Sequence, residues 1–351
     1  MKISILAYLE PGEKKPDVVM DQVAEALKSA GHEVGVITAQ DDVLELVQKV
    51  RDAKPDLIFN LLESFNNDMI GGSMGVAGVL DLLQVPFTGG GPGEIYLQED
   101  KTLAKKLLDF EDVKYPDFAS FAPNADFETG GNLRMPLFVK PQRMEASQGI
   151  DEKSLVHSTQ ELMERVLKIH KTIGDAALAE EFIEGRELYV GVLGNGRPVA
   201  FPPIELDFSG LPEGSPKVLD SAAKWDEGSD RFKGTKSVIA KLPDDMHARV
   251  QKVAVDAYRA VRVRDYGRID IRVTDGGEIY VIEVNASCYL EKSAEFAMAA
   301  AAADLEYEAL INRIPKLAME RWKQRTAVKK KRKRAFAKAN GKSTKAAKKE
   351  T

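Results

Sequence analysis

Over residues 1–112 the apolar positions switch between short continuous runs and helical spacing, the mark of strands alternating with amphipathic helices. Lys2 to Leu9 reads as a strand, Asp17 to Ala30 as a helix ended at Gly31, and Val34 to Thr38 as the second strand. A second helix is expected over roughly Val43 to Ala53 and a third strand over Asp56 to Leu62. The glycine-spaced segment GGSMGVAGVLDLLQ is helical in pattern, VPFTGG reads as a short strand, and DKTLAKKLLDF lies in a further helix. This alternation predicts an open parallel sheet, a Rossmann-like unit. No G-x-G-x-x-G follows the first strand, so the pattern does not support dinucleotide binding there.

Near Tyr115 and Pro116 the rhythm changes. A strand over Leu137 to Lys140 precedes a polar loop, a helix over Thr159 to Ile173 and a strand over Ala177 to Phe182. From Glu187 to about Trp322 the chain reads as strands Leu188 to Leu193 and Pro198 to Glu205, a long polar excursion to about Ala240 and a helix from Asp244 to Val261. A hairpin centred on Gly276 and Gly277, the alanine-rich segment Ser293 to Asp304 and a helix to Trp322 close this part. The expected fold is α/β with α+β subdomains, divided at residues 1–112, 113–185, 186–322 and 323–351.

The hairpin carries the chemistry. In RDYGRIDIRVTDGGEIYVIEVNAS, two β-rich runs flank a glycine pair that signals a tight turn. With Gly276 and Gly277 as the loop, Asp270 falls opposite Glu283 and Arg268 opposite Asn285, all on one face because side chains alternate along a strand. Ile269, Ile271, Val273, Tyr280, Ile282 and Val284 are expected on the other face, toward a core. Cross-strand Cβ atoms lie about 4.5–5.5 Å apart, so the two acids repel unless a cation sits between them. Their oxygens, with the carbonyl of Asn285, suit Mg²⁺ or Mn²⁺. The competing reading leaves them as solvent-facing residues with Arg268 as their ion-pair partner.

Three lysines could complete a phosphate site: Lys101 at the start of a helix, Lys140 at the end of an apolar strand, and Lys224 before Trp225. A lone lysine is ordinarily a solvated surface group. Lys140 carries more weight because the loop after it, PQRMEASQG, offers Ser147 and backbone amides to phosphate oxygens. In AEEFIEGRELYV, Glu180 and Glu187 flank a turn at Gly185, where the backbone could hold adenine and a carboxylate could hold ribose; a plain strand–turn–strand with exposed acids is the alternative.

The chain of 351 residues, 44% hydrophobic, is long enough for several subdomains around a substantial core. A single cysteine, Cys288, excludes an internal disulfide framework, and the four histidines lack zinc-like spacing. Without a helix-forming apolar run of about eighteen residues or a secretory leader pattern, a cytoplasmic protein with no membrane span is expected. The net charge of −5 hides an asymmetry: from Lys323 onward there are 13 basic residues against one acid, whereas residues 1–322 carry 37 basic and 54 acidic groups. The basic segment reads as a solvated, disordered tail, with attachment to nucleic acid or another acidic surface as the alternative.

Taken in order, LFVKPQRMEASQG, EEFIEGREL, DSAAKW, GRIDIRV and IEVNAS, preceded by PDLIFNLLE, VPFTGG and EDKTLAKKLL, resemble the ATP-grasp fold and within it the D-alanine:D-alanine ligase family, over about Asp56 to Ala318. The resemblance implies a pre-ATP-grasp domain over 1–112, a lid subdomain over 113–185 and a metal-bearing subdomain over 186–322. It also implies that Lys101, Lys140 and Lys224 contact ATP phosphates, that Glu180, Glu181, Phe182 and Ile183 line the adenine, and that Glu187 binds the ribose. Asp270, Glu283 and Asn285 would hold two magnesium ions, and Arg268, with Ser147, would act at the reacting carboxylate. A homodimer and amino-acid or peptide substrates are expected partners.

The departures fall at the substrate end. The family's glycine-serine-glutamate signature is replaced by LAYLEPGEKK, leaving Glu13 as ammonium partner. Glu63-Ser64 stands for His-Gly, Glu145-Ala146-Ser147 for Gly-Ser-Ser, and Asn285-Ala286-Ser287-Cys288-Tyr289 for the Asn-Thr-x-Pro-Gly turn. The expectation is therefore an ATP-dependent carboxylate-amine ligase whose D-alanine dimer formation is slow or absent. A ligase of other substrates, or a nucleotide-binding protein without turnover, are the alternatives.

Overall fold

The structure, a computed structural model, describes residues 1–9, 17–66, 68, 70–124, 128–129, 133–144 and 147–347. Strands β1 (Lys2–Tyr8), β2 (Glu33–Ala39) and β3 (Leu57–Asn60) form a parallel sheet in the order β2-β1-β3. Helices α1 (Val18–Ser29) and α2 (Val43–Ala53) make the crossovers. Asp17 and Asp42 start these helices because their carboxylates accept from the otherwise orphaned amides of Val19, Leu44 and Glu45. VPFTGG does not form the expected strand; only a single parallel bridge joins Phe87 to Ile58. Helices α3 (Ile70–Leu83), α4 (Pro92–Glu99) and α5 (Lys101–Phe110) follow. Ala104 and Leu108 of α5 are buried with Leu188, Val190, Ile269 and Val284 of the third sheet, so this helix is a wall of the cleft.

The middle segment is an antiparallel sheet of β4 (Phe118–Phe121), β5 (Glu128–Thr129), β6 (Leu137–Pro141), β7 (Leu155–Val156) and β8 (Ala177–Glu181), in the order β5-β4-β8-β6-β7. Helix α6 (Thr159–Thr172) covers it through Leu162, Val166 and Ile169. The largest sheet contains β9 (Arg186–Leu193), β10 (Val199–Ala200), β11 (Ile204–Asp207), β12 (Lys236–Ile239), β13 (Tyr266–Val273) and β14 (Ile279–Ala286). Its order is β12-β11-β9-β13-β14, with β10 on β9. The strand expected over Pro198 to Glu205 is split because Pro202 and Pro203 cannot donate to a ladder. The polar excursion holds α7 (Ser221–Trp225) and α8 (Asp230–Gly234) before β12. One face of the sheet is covered by α9 (Asp244–Ala260) and the other by α10 (Glu295–Ala301).

The register of the hairpin follows expectation only at one end. Arg268 pairs with Asn285 and Asp270 with Glu283, but beyond Asp270 the pairing slips, so that Ile271 faces Val281 and Val273 faces Ile279. The connection is residues 274–278 and not two glycines, and Ile282 becomes the extra residue of a bulge. A one-residue slip turns side chains to the opposite face. Ile279 and Val281 therefore enter the core under α9, while Ile282 lines the cleft and Tyr280 donates to Glu278 at the surface. This corrects the core positions expected for Tyr280 and Ile282.

Helix α11 (Tyr307–Ala347) packs against α1 and β3, with Leu310, Ile311, Ile314 and Leu317 in the shared core. It runs through most of the segment expected to be a disordered tail from residue 323. Lysine, arginine and alanine are strong helix formers, and after Pro315 no proline interrupts the helix. Arg325 also pairs with Asp81 at 2.6 and 2.8 Å, so the packed part extends past Trp322. Among the described residues no helix is long and apolar enough to cross a membrane.

Asp265, fully buried, ties these parts together. It accepts from the Gly89 amide and the Asn195 amide nitrogen at 2.9 Å each, and from Arg321 of α11 at 2.6 and 3.1 Å. Replacing Arg321 by alanine strands this carboxylate and is expected to cost about 3 kcal/mol or more of stability. Ending the chain after Val328 keeps both arginine pairs and should cost less than about 0.5 kcal/mol. Denaturant titration of the two variants checks this; equal losses would contradict the assignment.

Candidate active site

On β13 every second residue from Arg268 faces one cleft, bringing Arg268, Asp270 and Arg272 into line opposite Asn285 and Glu283 of β14. Arg268 donates through Nε and one terminal nitrogen to the two Asp270 oxygens at 2.7 and 2.9 Å. Asn285 adds a bond to the same carboxylate at 3.1 Å, and Lys101 Nζ lies 2.9 Å from Glu283 Oε1. The ion pair of the competing reading is thus present, but Asp270 is buried and not solvent-facing. The Arg268 guanidinium sits 4.1 Å from the centre of the Tyr189 ring. Burial raises the Asp270 carboxyl to about 6 against the pull of Arg268. Burial acts the same way on Glu283, but Lys101 and Lys140 outweigh it and hold that carboxyl near 2.

One side of the cleft is built on Glu180. Lys140 lies near the end of β6 beside β8, and Lys105 lies one turn beyond Lys101 on α5, so both ammonium groups reach the one carboxylate. Lys140 Nζ is 2.8 Å from Oε2 and Lys105 Nζ 2.7 Å from Oε1, with all three groups buried. The Lys105 contact is ionic only, for neither atom has an aligned hydrogen bond. Burial, with the neighbouring Lys140 charge, lowers the Lys105 pKa, Glu180 offsetting only part of the effect, whereas for Lys140 burial is outweighed by Glu180 and Glu283. The Glu180 side chain therefore faces the two lysines. Lys105 was not singled out from the sequence; its spacing from Lys101 was the available signal.

Two residues beyond Asp270 on β13, Arg272 joins three segments. It donates to Glu187 Oε2 at 2.5 Å, to the Ile183 carbonyl at 3.1 Å and to the Lys217 carbonyl at 2.6 Å, with its guanidinium 4.8 Å from the centre of the Phe182 ring. It too escaped the sequence reading, although it continues the Arg268, Asp270 alternation. Gly185 makes this approach feasible: at φ +145° a Cβ there would stand 2.1 Å from the Val273 carbonyl oxygen. Lys224, on the α7 helix capped by Asp220, enters the cleft, and burial, aided by Arg268, lowers its pKa. Ser147 adopts φ +60° and donates to the Leu219 carbonyl at 3.1 Å, fastening the loop after β6 to the segment before α7.

All the expected site residues except Glu13 line this one cleft: Lys101, Lys140, Ser147, Glu180, Glu181, Phe182, Ile183, Glu187, Lys224, Arg268, Asp270, Glu283 and Asn285. Glu13, like Glu145 and Ala146, lies outside the described residues. Among the described residues no three His, Cys, Asp or Glu side chains gather as a metal cage. The donor set nevertheless fits Mg²⁺ or Mn²⁺, which bind through one or two carboxylates and take their other ligands from phosphate and water. Charge balance agrees: five basic and five acidic side chains line the cleft, so a triphosphate would stay uncompensated without accompanying cations.

Residues 106–316 match the family described as D-ala D-ala ligase C-terminus. A D-alanine–D-alanine ligase of Clostridium perfringens (strain SM101) is 30% identical over 281 residues, covering 80% of this chain and 84% of the relative. The uncharacterized protein y4sG of Sinorhizobium fredii is 29% identical over 321 residues, covering 90% of this chain and 92% of its own. The crystal structure of a D-alanine–D-alanine ligase from Bacillus anthracis complexed with ATP matches with a TM-score of 0.70 at 21% identity, covering 92% of this chain and 99% of that one. That shared architecture is the ATP-grasp fold. Within it, the chain belongs to the D-ala D-ala ligase family, to which more than half of its residues match.

Cys288 is buried in the core beside α10, and burial pushes its thiol up to about 12. It fills space and carries no nucleophile. In the native protein at neutral pH it should resist a thiol reagent and react with one equivalent only after unfolding. Fast labelling of the folded protein would contradict this.

Proposed function

We propose that the protein uses ATP and magnesium to convert a carboxylate to an acyl phosphate and then joins it to an amine. The observation that carries the reading is the convergence of Asp270, Glu283 and Asn285 with Arg268 and the buried lysines in one cleft. Phosphoryl transfer asks a protein chiefly for positioning and charge compensation. Lys101, Lys140 and Lys224 would hold phosphate oxygens, with Glu180 keeping Lys140 in place. Bound Mg²⁺ would neutralise phosphate charge from the Asp270, Glu283 and Asn285 side. The Phe182–Glu187 linker, fixed by Arg272, would present its backbone to the base and the Glu187 carboxylate to the ribose.

Arg268 would orient the reacting carboxylate, whose oxygen attacks the terminal phosphorus as ADP leaves. The amine then attacks the acyl carbon, the same guanidinium stabilises the oxyanion, and phosphate departs carrying the carboxylate oxygen. The substrate end supports a pocket unlike that of the D-alanine enzymes. Tyr289, where the family has a turn glycine, is exposed, donates to Asp17 at 2.9 and 3.1 Å, and is bulkier than the residue it replaces. D-alanine dimer formation is therefore proposed to be slow. The basic segment from Lys323 is proposed to contact nucleic acid or another acidic surface through charge alone, which makes that retention salt-sensitive and dependent on the segment.

Asp270→Asn and Glu283→Gln should each lower ATP- and amine-dependent phosphate release by roughly 100-fold or more, since even supporting residues of metal sites are worth about 10–100-fold. Each variant leaves a cation of the cleft, Arg268 or Lys101, without its charged partner and should lose some stability, so turnover is compared at a temperature at which both remain folded. Lys140→Ala should raise the KM for ATP more than Lys106→Ala, which alters a lysine outside the cleft lining. Wild-type turnover by either acid variant at limiting Mg²⁺ would overturn the metal assignment.

A further inference from the structure

Arg268 lines the cleft, and beyond its far edge stands Glu295, the first residue of α10. Its Oε1 accepts from Ser237 Oγ of β12 at 2.9 Å, and its Oε2 stands 3.7 Å from the Arg268 terminal nitrogen that faces away from Asp270. The other two Arg268 nitrogens are engaged by Asp270 at 2.7 and 2.9 Å. A separation of 3.7 Å is too long for a direct hydrogen bond. One guanidinium edge and one carboxylate oxygen thus face each other across a gap, each with a partner behind it that fixes its position.

A structural clamp would be the plain reading of this pair, but α10 has no need of one. Phe296 packs edge-on against Phe201 at 5.6 Å and against Tyr266 at 5.8 Å, and Ala297, Ala299 and Ala300 are buried beside it. A loose pair with its carboxylate 25% exposed contributes little stability. Recognition is the better use of the arrangement. A simple carboxylate approaching the free edge of Arg268 meets the like charge of Glu295, and a simple ammonium approaching Glu295 meets Arg268. A molecule with both charges on one carbon satisfies both sides.

We propose that Glu295 is the ammonium anchor of the donor substrate, selecting an α-amino acid whose carboxylate lies on the free edge of Arg268. This rests on the ligase reading for the fate of that carboxylate, but the binding step can be measured alone. The resemblance points to Glu13 for such a role; Glu295 comes from a different element and already stands beside the arginine.

The test measures phosphate release with glycine, D-alanine and L-alanine, and with their deaminated counterparts acetate and propionate. In Glu295→Gln the KM for the accepted amino acid should rise about 10–100-fold, the preference over its deaminated counterpart should shrink, and Glu295→Asp should restore much of both. ATP affinity serves as the folding control, and Ser237→Ala, which loosens the same carboxylate, replaces Glu295→Gln if that variant does not fold. An unchanged KM and preference, or a fall in kcat alone, would overturn the assignment. Should the parent release no phosphate with any amino acid, the ligase reading fails, and saturation-transfer NMR with the same compounds decides separately. Amino-acid binding lost in Glu295→Gln would then support the anchor, and binding retained in the variant or absent from the parent would sink it.

Discussion

Burial of opposite charges in a shared cleft is the constraint on which the rest of the site depends. Asp270 and Glu283 are cross-strand neighbours, and two carboxylates at that spacing, taken out of water, repel each other strongly. The structure accommodates them by giving each its own cation, Arg268 for Asp270 and Lys101 for Glu283. Their surroundings therefore pull the pair apart, one carboxyl up to about 6 and the other down near 2. Glu180 does the converse for Lys105 and Lys140, and Glu187 for Arg272. Removing one member of such a pair leaves the other charge buried and uncompensated, so each group depends on its partner.

The fold serves this arrangement by bringing three sources of charge to one place. β13 and β14 supply the acids and arginines, β6 and β8 of the middle sheet supply Lys140 and Glu180, and α5 supplies Lys101 and Lys105. The third contribution requires α5 to pack on the third sheet, which Ala104 and Leu108 accomplish. Asp265 then holds the turn between α3 and α4, the end of β9 and the last long helix in fixed relation. The middle sheet and the largest one keep separate hydrophobic cores, joined across the cleft by contacts such as Ser147 to the Leu219 carbonyl.

Much of this is legible in the sequence where periodicity and turn chemistry agree. The paired face of Arg268, Asp270, Glu283 and Asn285 follows from strand alternation, and the structure keeps that pairing. The failures have physical causes. The bulge at Ile282 is a property of how β14 meets its neighbour, and no residue type announces it, so Tyr280 and Ile282 were expected on the wrong face. Lys105 and Arg272 escaped because an isolated lysine or arginine carries no signal until its partner is known. Glu180 and Glu187 supply those partners from distant segments. The segment after residue 323 was judged by its charge, which favours disorder, while its lysine, arginine and alanine content favours the helix that is found.

The central claim is that a substrate carboxylate becomes an acyl phosphate in the cleft. It is tested most directly by supplying a carboxylate substrate labelled with ¹⁸O at both oxygens and examining the phosphate released during amine-dependent turnover. Attack of the carboxylate on ATP makes one of its oxygens the bridge to phosphorus, and departure of phosphate carries that oxygen away. The account predicts one labelled oxygen in each phosphate formed and one left in the amide. Phosphate free of label, with both labelled oxygens retained in the carboxylate, would contradict it.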